Sequence, residues 1–453
     1  MKKRFLGFWS SFLVVLLTQS GFAGGWKAGV ASVVITPKES QWMAGYAART
    51  RAAEGKLHDL WAKALALEDE KGNRVVLVTS DLLGFPKVLS DRIRERLQKQ
   101  LGLSKAQIIL NSSHTHSGPV LGQALLDIYP IDAAERTKIE RYSQQLEDQI
   151  VTLVGQAFRK LEPAELFAQN GVTRFQVNRR NNKEGSLREQ TDLNGPNDYA
   201  VPVIKVLNTS GKLIAVAFGY ACHPTVLDQY QWSGDYVGFA QLELEKAHPG
   251  ARALFFQGAA GDQNPMPRRT VPLARQFGRE LAAAVDRVLE EPMRNLPAQV
   301  RTAYSEIELP LAAPPTEAEL TTTAQENEGY MKRWAIRMLA EKKQGKPFVT
   351  SYPYPLQIWQ LGGQPVFTFG GELVVDYAIA CKKRFGPDVF VMGYSNDVMA
   401  YIPSATILKE GGYEGATSQM VYGLPTIWAP EVPELIIREM SRLAGQLGIP
   451  SAK

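Results

Sequence analysis

Five histidines occur in the chain, and two of them, His114 and His116, stand one residue apart in the stretch 108–119, IILNSSHTHSGP. Two imidazoles aimed at one spot suit a metal, or one metal ligand beside a general acid/base. The bland alternative is a polar loop with two surface histidines. A third, His223, follows another apolar run in Ala221-Cys222-His223-Pro224. Glu372 follows a third run at Gly370-Gly371, and Tyr401 stands further along. Imidazole nitrogen and carboxylate oxygen are zinc ligands, and a catalytic zinc keeps one position for water, which loses a proton near neutral pH. The residue types point to a metallohydrolase, provided the fold brings them together.

Each of these residues ends an apolar run that reads as a buried strand entering a polar, glycine-containing turn. Segment 74–79 is a Val-rich strand. From Ser90 the period changes: Leu89, Ile93, Leu97 and Leu101 recur every four residues, and Gly102 follows as a C-cap. With the strand from Ile108, this makes a βαβ unit, and the histidine pair lies just past its second strand, where α/β folds place their sites. Side-chain alternation along that strand would point His114 and His116 the same way. Segment 133–161 reads as one long amphipathic helix. Strands at 201–207 and 213–220 turn at Ser210-Gly211, and Asp235 reads as a capping or helix-dipole residue. The glycine-rich loop 257–265 lacks the Gly-Lys-Ser/Thr ending of a phosphate loop. Segment 316–343 is mostly helical, Gly370-Gly371-Glu372 opens a helix, and 434–447 is a closing helix. The expected class is α/β, or mixed α+β: mixed sheets flanked by helices, with the site at strand C-terminal ends.

The ends and the composition narrow the function. Lys2, Lys3 and Arg4 precede a mostly apolar run to Leu17, and small residues occur at Gly21-Phe22-Ala23. This is the form of a secretory signal over 1–23, leaving 24–453 as one catalytic domain. The formal charge of +5 includes those three cations, so the remainder is close to +2 and argues against nucleic acid. Cys222 and Cys381 read as two buried free thiols. His58 and His248 read as ordinary residues.

Asn111 to Pro119 resembles the THTHSGP segment of the neutral (non-lysosomal, alkaline) ceramidases. The resemblance extends to residues 55–67, Asn178-Arg179, His223, Ser233-Gly234-Asp235, Gly261-Asp262, Gly371-Glu372 and residues 401–415. It implies zinc held by His114, His223, Glu372 and Tyr401, and a proton-transfer role for His116. Arg179 and Tyr413 match residues that hold the developing oxyanion, while Asp262 and Asn264 fall in a substrate-contact segment. It also implies a secreted or periplasmic amidohydrolase that uses zinc-bound water to cleave a ceramide-like N-acyl amide. The partner is then a lipid or other N-acyl small molecule, met in peripheral contact with a membrane surface; neither nucleic acid nor a protein partner is implied.

Two departures stand out. The family's Gly-Asp-x-Ser-Pro-Asn segment reads Gly261-Asp262-Gln263-Asn264-Pro265, so Asn264 replaces a serine. An amide is no nucleophile, which favours direct attack by water. The family's C-terminal immunoglobulin-like domain is also not expected after the closing helix. Two alternative readings are a zinc hydrolase acting on an ester, peptide or other bond, and a secreted metal- or ligand-binding protein without catalysis.

Overall fold

Three parallel strand–helix–strand units position the candidate residues. The computed structural model describes residues 25–451, so the export segment expected at 1–23 lies outside the described residues. In the first unit Arg74–Ser80 and Ile108–Ser112 run parallel, joined through the helix Lys87–Leu101. In the second, Leu213–Tyr220 and Arg252–Gln257 flank the helix Asp235–Ala247. In the third, Gln364–Phe369 and Phe390–Met392 flank Val375–Phe385. Parallel strands require such a crossover, and their C-terminal ends lie on one edge.

The first two units form the two ends of one mixed sheet. Between them lie Trp61–Glu68, Trp26–Val34, Glu162–Val172 and Ala200–Asn208, all antiparallel to their neighbours. The sheet curls until its ends meet, where Asn111 Oδ1 accepts from Gln257 N at 2.8 Å. The third unit belongs to a second sheet with the long hairpin Val300–Pro310 and Ser351–Leu361.

Period-2 alternation explains the layering. Along the first unit, Val76, Val78, Ile108 and Leu110 face the helices Lys87–Leu101 and Ala133–Arg159, meeting Ile93, Leu97, Leu146 and Ile150. Val75, Leu77 and Ile109 face the other way, onto Trp359, Val366, Phe390 and Met392 of the second sheet. That sheet's outer face is covered by Val375–Phe385 and Val432–Gln446. The result is four layers, helices, sheet, sheet and helices, in line with the expected mixed class.

Several elements differ from expectation. Glu162–Val172 and the hairpin Val300–Pro310/Ser351–Leu361 were not legible as strands. Exposed residues interrupt the apolar pattern on one face of Glu162–Val172 and Val300–Pro310, and Pro353 and Pro355 break the pattern of Ser351–Leu361. Segment 316–343 is two helices, Glu317–Glu326 and Gly329–Lys343. Asp235 is the acidic residue in the first turn of its helix, in line with the helix-dipole reading, but not its side-chain cap: it has φ +58°, and its carboxylate accepts from Leu227 N at 2.8 Å and Tyr236 N at 2.6 Å. Cys222 and Cys381 are buried and free, as expected.

Gln257 is fully buried where the first two units meet. Its Nε2 donates to Ser113 O at 2.9 Å and to Cys222 O at 3.0 Å, the carbonyls just before His114 and His223. Gln257→Leu leaves Ser113 O without that donor inside the protein, whereas Cys222 O keeps the Tyr236 hydroxyl at 2.7 Å. A buried acceptor left unsatisfied costs roughly 1–3 kcal/mol. The variant is therefore expected to lose about 1–3 kcal/mol in denaturant unfolding. Wild-type stability would show that the two loops hold themselves.

Candidate metal and amidohydrolase site

The loops leaving the three units build the site. Strand geometry ends at Ser112, and His114 has φ +65°, so the pair does not share a strand face as alternation predicted. The left-handed residue turns the chain instead. His114 N donates to Leu82 O at 2.9 Å, and its Nδ1 meets Leu83 O at 2.6 Å, both from the loop after the first strand of the same unit. His223 is held likewise, with Nδ1 at 2.6 Å from Ala260 O. Glu372 does not open a helix. Glu372–Leu373 pairs in parallel with Tyr401–Ile402, placing Glu372 directly beside Tyr401. Gly371 at φ +69° allows this turn, and a Cβ there would strike Ala400 O at 2.8 Å.

His114, His223, Glu372 and Tyr401 therefore come together. His114 Nε2 lies 3.1 Å and His223 Nε2 3.0 Å from Glu372 Oε2, and Tyr401 Oη lies 3.5 Å from His223 Nε2. Burial lowers His223 to about 4, so its ring is neutral at pH 7. Burial alone would raise the Glu372 carboxyl, whereas proton-bearing imidazoles facing it would hold it well below the usual range.

The hydrogen-bond network then sets a test for a metal. With Nδ1 donating to a carbonyl, a neutral ring presents a lone pair at Nε2. Both lone pairs face a carboxylate oxygen, acceptor against acceptor. A cation among them removes the conflict. Two imidazole nitrogens and a carboxylate oxygen are a set that zinc accepts, with the Tyr401 phenol beside them, and the carbonyls behind the rings are the partners that metal-bound histidines use. The residues present fit the metal.

His116 is different. Its ring centroid lies 5.0 Å from that of His114, and ring nitrogens of His114, His116 and His223 fall within 4.8 Å of one another. Distance alone thus admits His116 as a third nitrogen ligand. Yet both of its ring nitrogens are shut from solvent without a hydrogen-bond partner among the described residues. Burial first, then His114 and His223, push its pKa well down. The ring is held by Tyr46, edge-on at 4.8 Å, and by Arg49, which donates to His116 O at 2.8 Å. Gly45 lets it lie there, since a Cβ would come within 2.5 Å of the ring.

Arg179 is the outer wall. It donates to Tyr401 Oη at 3.0 Å, Glu414 Oε1 at 2.8 Å and Asn264 Oδ1 at 3.3 Å. Tyr413 stacks edge-on against Tyr401 at 5.3 Å and is 43% exposed, at the mouth of the site. Asp262 has bracing geometry: its carboxylate accepts from Asn178 Nδ2 at 2.8 Å and Val375 N at 2.9 Å, and burial raises it to about 6. His58 and His248 lie apart, on Ser233 Oγ at 3.0 Å and Asp286 Oδ1 at 2.7 Å.

Sequence reading missed four contributors. Tyr422 donates to Glu372 Oε1 at 2.5 Å and Tyr394 to Glu372 Oε2 at 3.4 Å. The other two are Tyr46 and Gln257. Tyr394 stands just past a strand, so the rule that picked out the histidines could have found it. Nothing local marks Tyr422.

The family description "Neutral/alkaline non-lysosomal ceramidase, N-terminal" matches residues 26–269, more than half of the chain. The chain belongs to the neutral/alkaline non-lysosomal ceramidase family. Among this family's members, neutral ceramidase A of Dictyostelium discoideum is 25% identical over 293 residues, 56% of this chain and 40% of that protein. The neutral ceramidase of Drosophila melanogaster is 26% identical over 260 residues, 54% of this chain and 35% of that protein. The matches thus span less than half the length of these ceramidases. The crystal structure of neutral ceramidase from Pseudomonas aeruginosa superposes with a TM-score of 0.72 at 20% identity, covering 95% of this chain and 76% of that one. A structure described as ceramidase complexed with C2 gives 0.73 at 18%, with the same coverages. At these identities the likeness shows the fold. Among the described residues no helix is long and apolar enough to cross a membrane.

Proposed function

We propose that this ceramidase-family chain is an exported, zinc-dependent amidohydrolase that cleaves an N-acyl amide, with ceramide the substrate the family suggests. The observation that carries the reading is the approach of His114 Nε2 and His223 Nε2 to within 3.1 Å of Glu372 Oε2, beside a His116 ring without a hydrogen-bond partner among the described residues. His114, His223, Glu372 and Tyr401 would hold the metal, with Tyr422 and Tyr394 fixing the carboxylate. Zinc bound there supplies a Lewis acid that activates water near neutral pH.

The remaining steps fall to the chain's own side chains. His116, neutral and bare at both ring nitrogens, accepts the proton of the attacking water and returns it to the leaving amine. Arg179 places a fixed positive charge beside the oxygen that becomes negative, and Tyr413, whose phenol is protonated at neutral pH, donates to the same oxygen. Asn264 offers no nucleophile, which supports direct attack by water rather than an acyl-enzyme route.

The test is a panel of N-acyl compounds, ceramide included, assayed with the purified chain before and after chelation. Amine release that stops with chelator and returns with zinc is expected. Equal release in its presence would remove the metal from the mechanism, and release from esters or peptides alone would change the bond.

A further inference from the structure

A cavity beside the site is a poor match for a two-chain lipid. It measures about 760 Å³ and reaches the site at Arg179, Asn264 and Tyr413. Of the side chains around it, only Met266 and Tyr413 offer apolar surface; the others are charged or amide. A long acyl chain binds by burying methylene after methylene, and this lining gives it almost nothing to lie against. Behind Tyr422, an apolar crevice between Leu83, Leu121 and Leu125 holds only about 20 Å³, space for one water and not for a hydrocarbon tail.

The charge at the mouth has a direction. Three carboxylates line the cavity, and each is occupied: Glu184 by Arg268, Glu410 by Arg180, and Glu414 by Arg179 and Arg180 together. Lys183 is exposed at the same mouth and pairs with no carboxylate among the described residues. Asn264 adds a donor: its Oδ1 takes the bond from Arg179, and its Nδ2 makes no hydrogen bond among the described residues. An unpaired ammonium and a free amide N–H₂ at one entrance suit an anionic oxygen.

We propose that the substrates are small carboxylate-bearing N-acyl compounds, of the class of amino acids carrying a short acyl group. Lys183 and Asn264 receive the carboxylate, and the acyl carbonyl lies inward beside Arg179. This rests on the amidohydrolase reading above and names its substrate class.

The test compares N-butyrylglycine, its neutral counterpart N-butyrylethanolamine, and N-acetylsphingosine in mixed micelles, using the zinc-loaded full chain and following amine release. N-butyrylglycine is expected to exceed the neutral amide in kcat/KM by about tenfold. Lys183→Glu should lower that ratio by about fivefold or more, chiefly through KM for the anionic substrate. A ratio near one, a ratio unmoved by Lys183→Glu, or N-acetylsphingosine as the best substrate would overturn the inference and leave the amidohydrolase reading standing. No turnover of any of the three by zinc-loaded protein would overturn both.

Discussion

His223→Ala is expected to leave the protein folded, almost free of zinc and without measurable hydrolysis. The ring stands 3.0 Å from Glu372 Oε2 and 3.5 Å from Tyr401 Oη, so it borders both oxygen donors of the proposed set. Removing it takes away one of two nitrogen ligands and opens space that water fills. His114→Ala and Glu372→Ala should behave alike. Glu372→Ala additionally strands Tyr422 Oη, whose recorded hydrogen bond goes to that carboxylate. Loss of metal activation removes both the Lewis acid and the water made acidic near neutral pH, so the rate should fall by several orders of magnitude. Elemental analysis and amide hydrolysis on the same preparations check this. Full zinc in any one variant would take that residue out of the ligand set, and circular dichroism would separate lost metal from lost fold.

His116→Ala should have the opposite signature: zinc retained and turnover cut by roughly 10²–10⁴-fold, the range for a positioned general acid/base. The leaving amine of an amide must be protonated, and His116 is the nearby group whose ring nitrogens have no hydrogen-bond partner among the described residues. Tyr413→Phe should cut turnover by about 10²–10³-fold, as for loss of one oxyanion donor, again with metal in place. The pair of measurements decides an ambiguity the distances leave open, because His116 lies within reach of the same point as His114 and His223. An empty site in His116→Ala would make it a ligand. Wild-type rates in both variants would move the chemistry elsewhere.

Much of this site was legible in the sequence, for a local reason. Apolar runs ending in glycine, proline and polar residues mark strand ends. Parallel strands share an edge, so His114, His223 and Glu372 could be nominated from their positions alone. The period change between residues 80 and 108 gave the first βαβ unit, and the family motif added Arg179 and Tyr413 to His114, His116, His223, Glu372 and Tyr401, which strand-end position had already marked. What the local pattern could not supply was convergence. The three units meet through contacts between residues far apart in the chain: Asn111 Oδ1 with Gln257 N, Asn111 Nδ2 with Gly393 O at 2.9 Å, and Gln257 with the carbonyls before His114 and His223. Alternation gave the wrong reason for the histidine pair, because the backbone turns left-handed at His114. Glu372 was assigned to a helix because a two-residue strand carries no periodicity to read. Tyr422 has no local signature at all; only the packing that carries its hydroxyl to Glu372 reveals it. Residue type and spacing determined which groups could do the chemistry. The curling of one sheet onto another decided which of them stand within 3 to 4 Å, because that distance is set by side-chain packing between layers and not by any pattern along the chain.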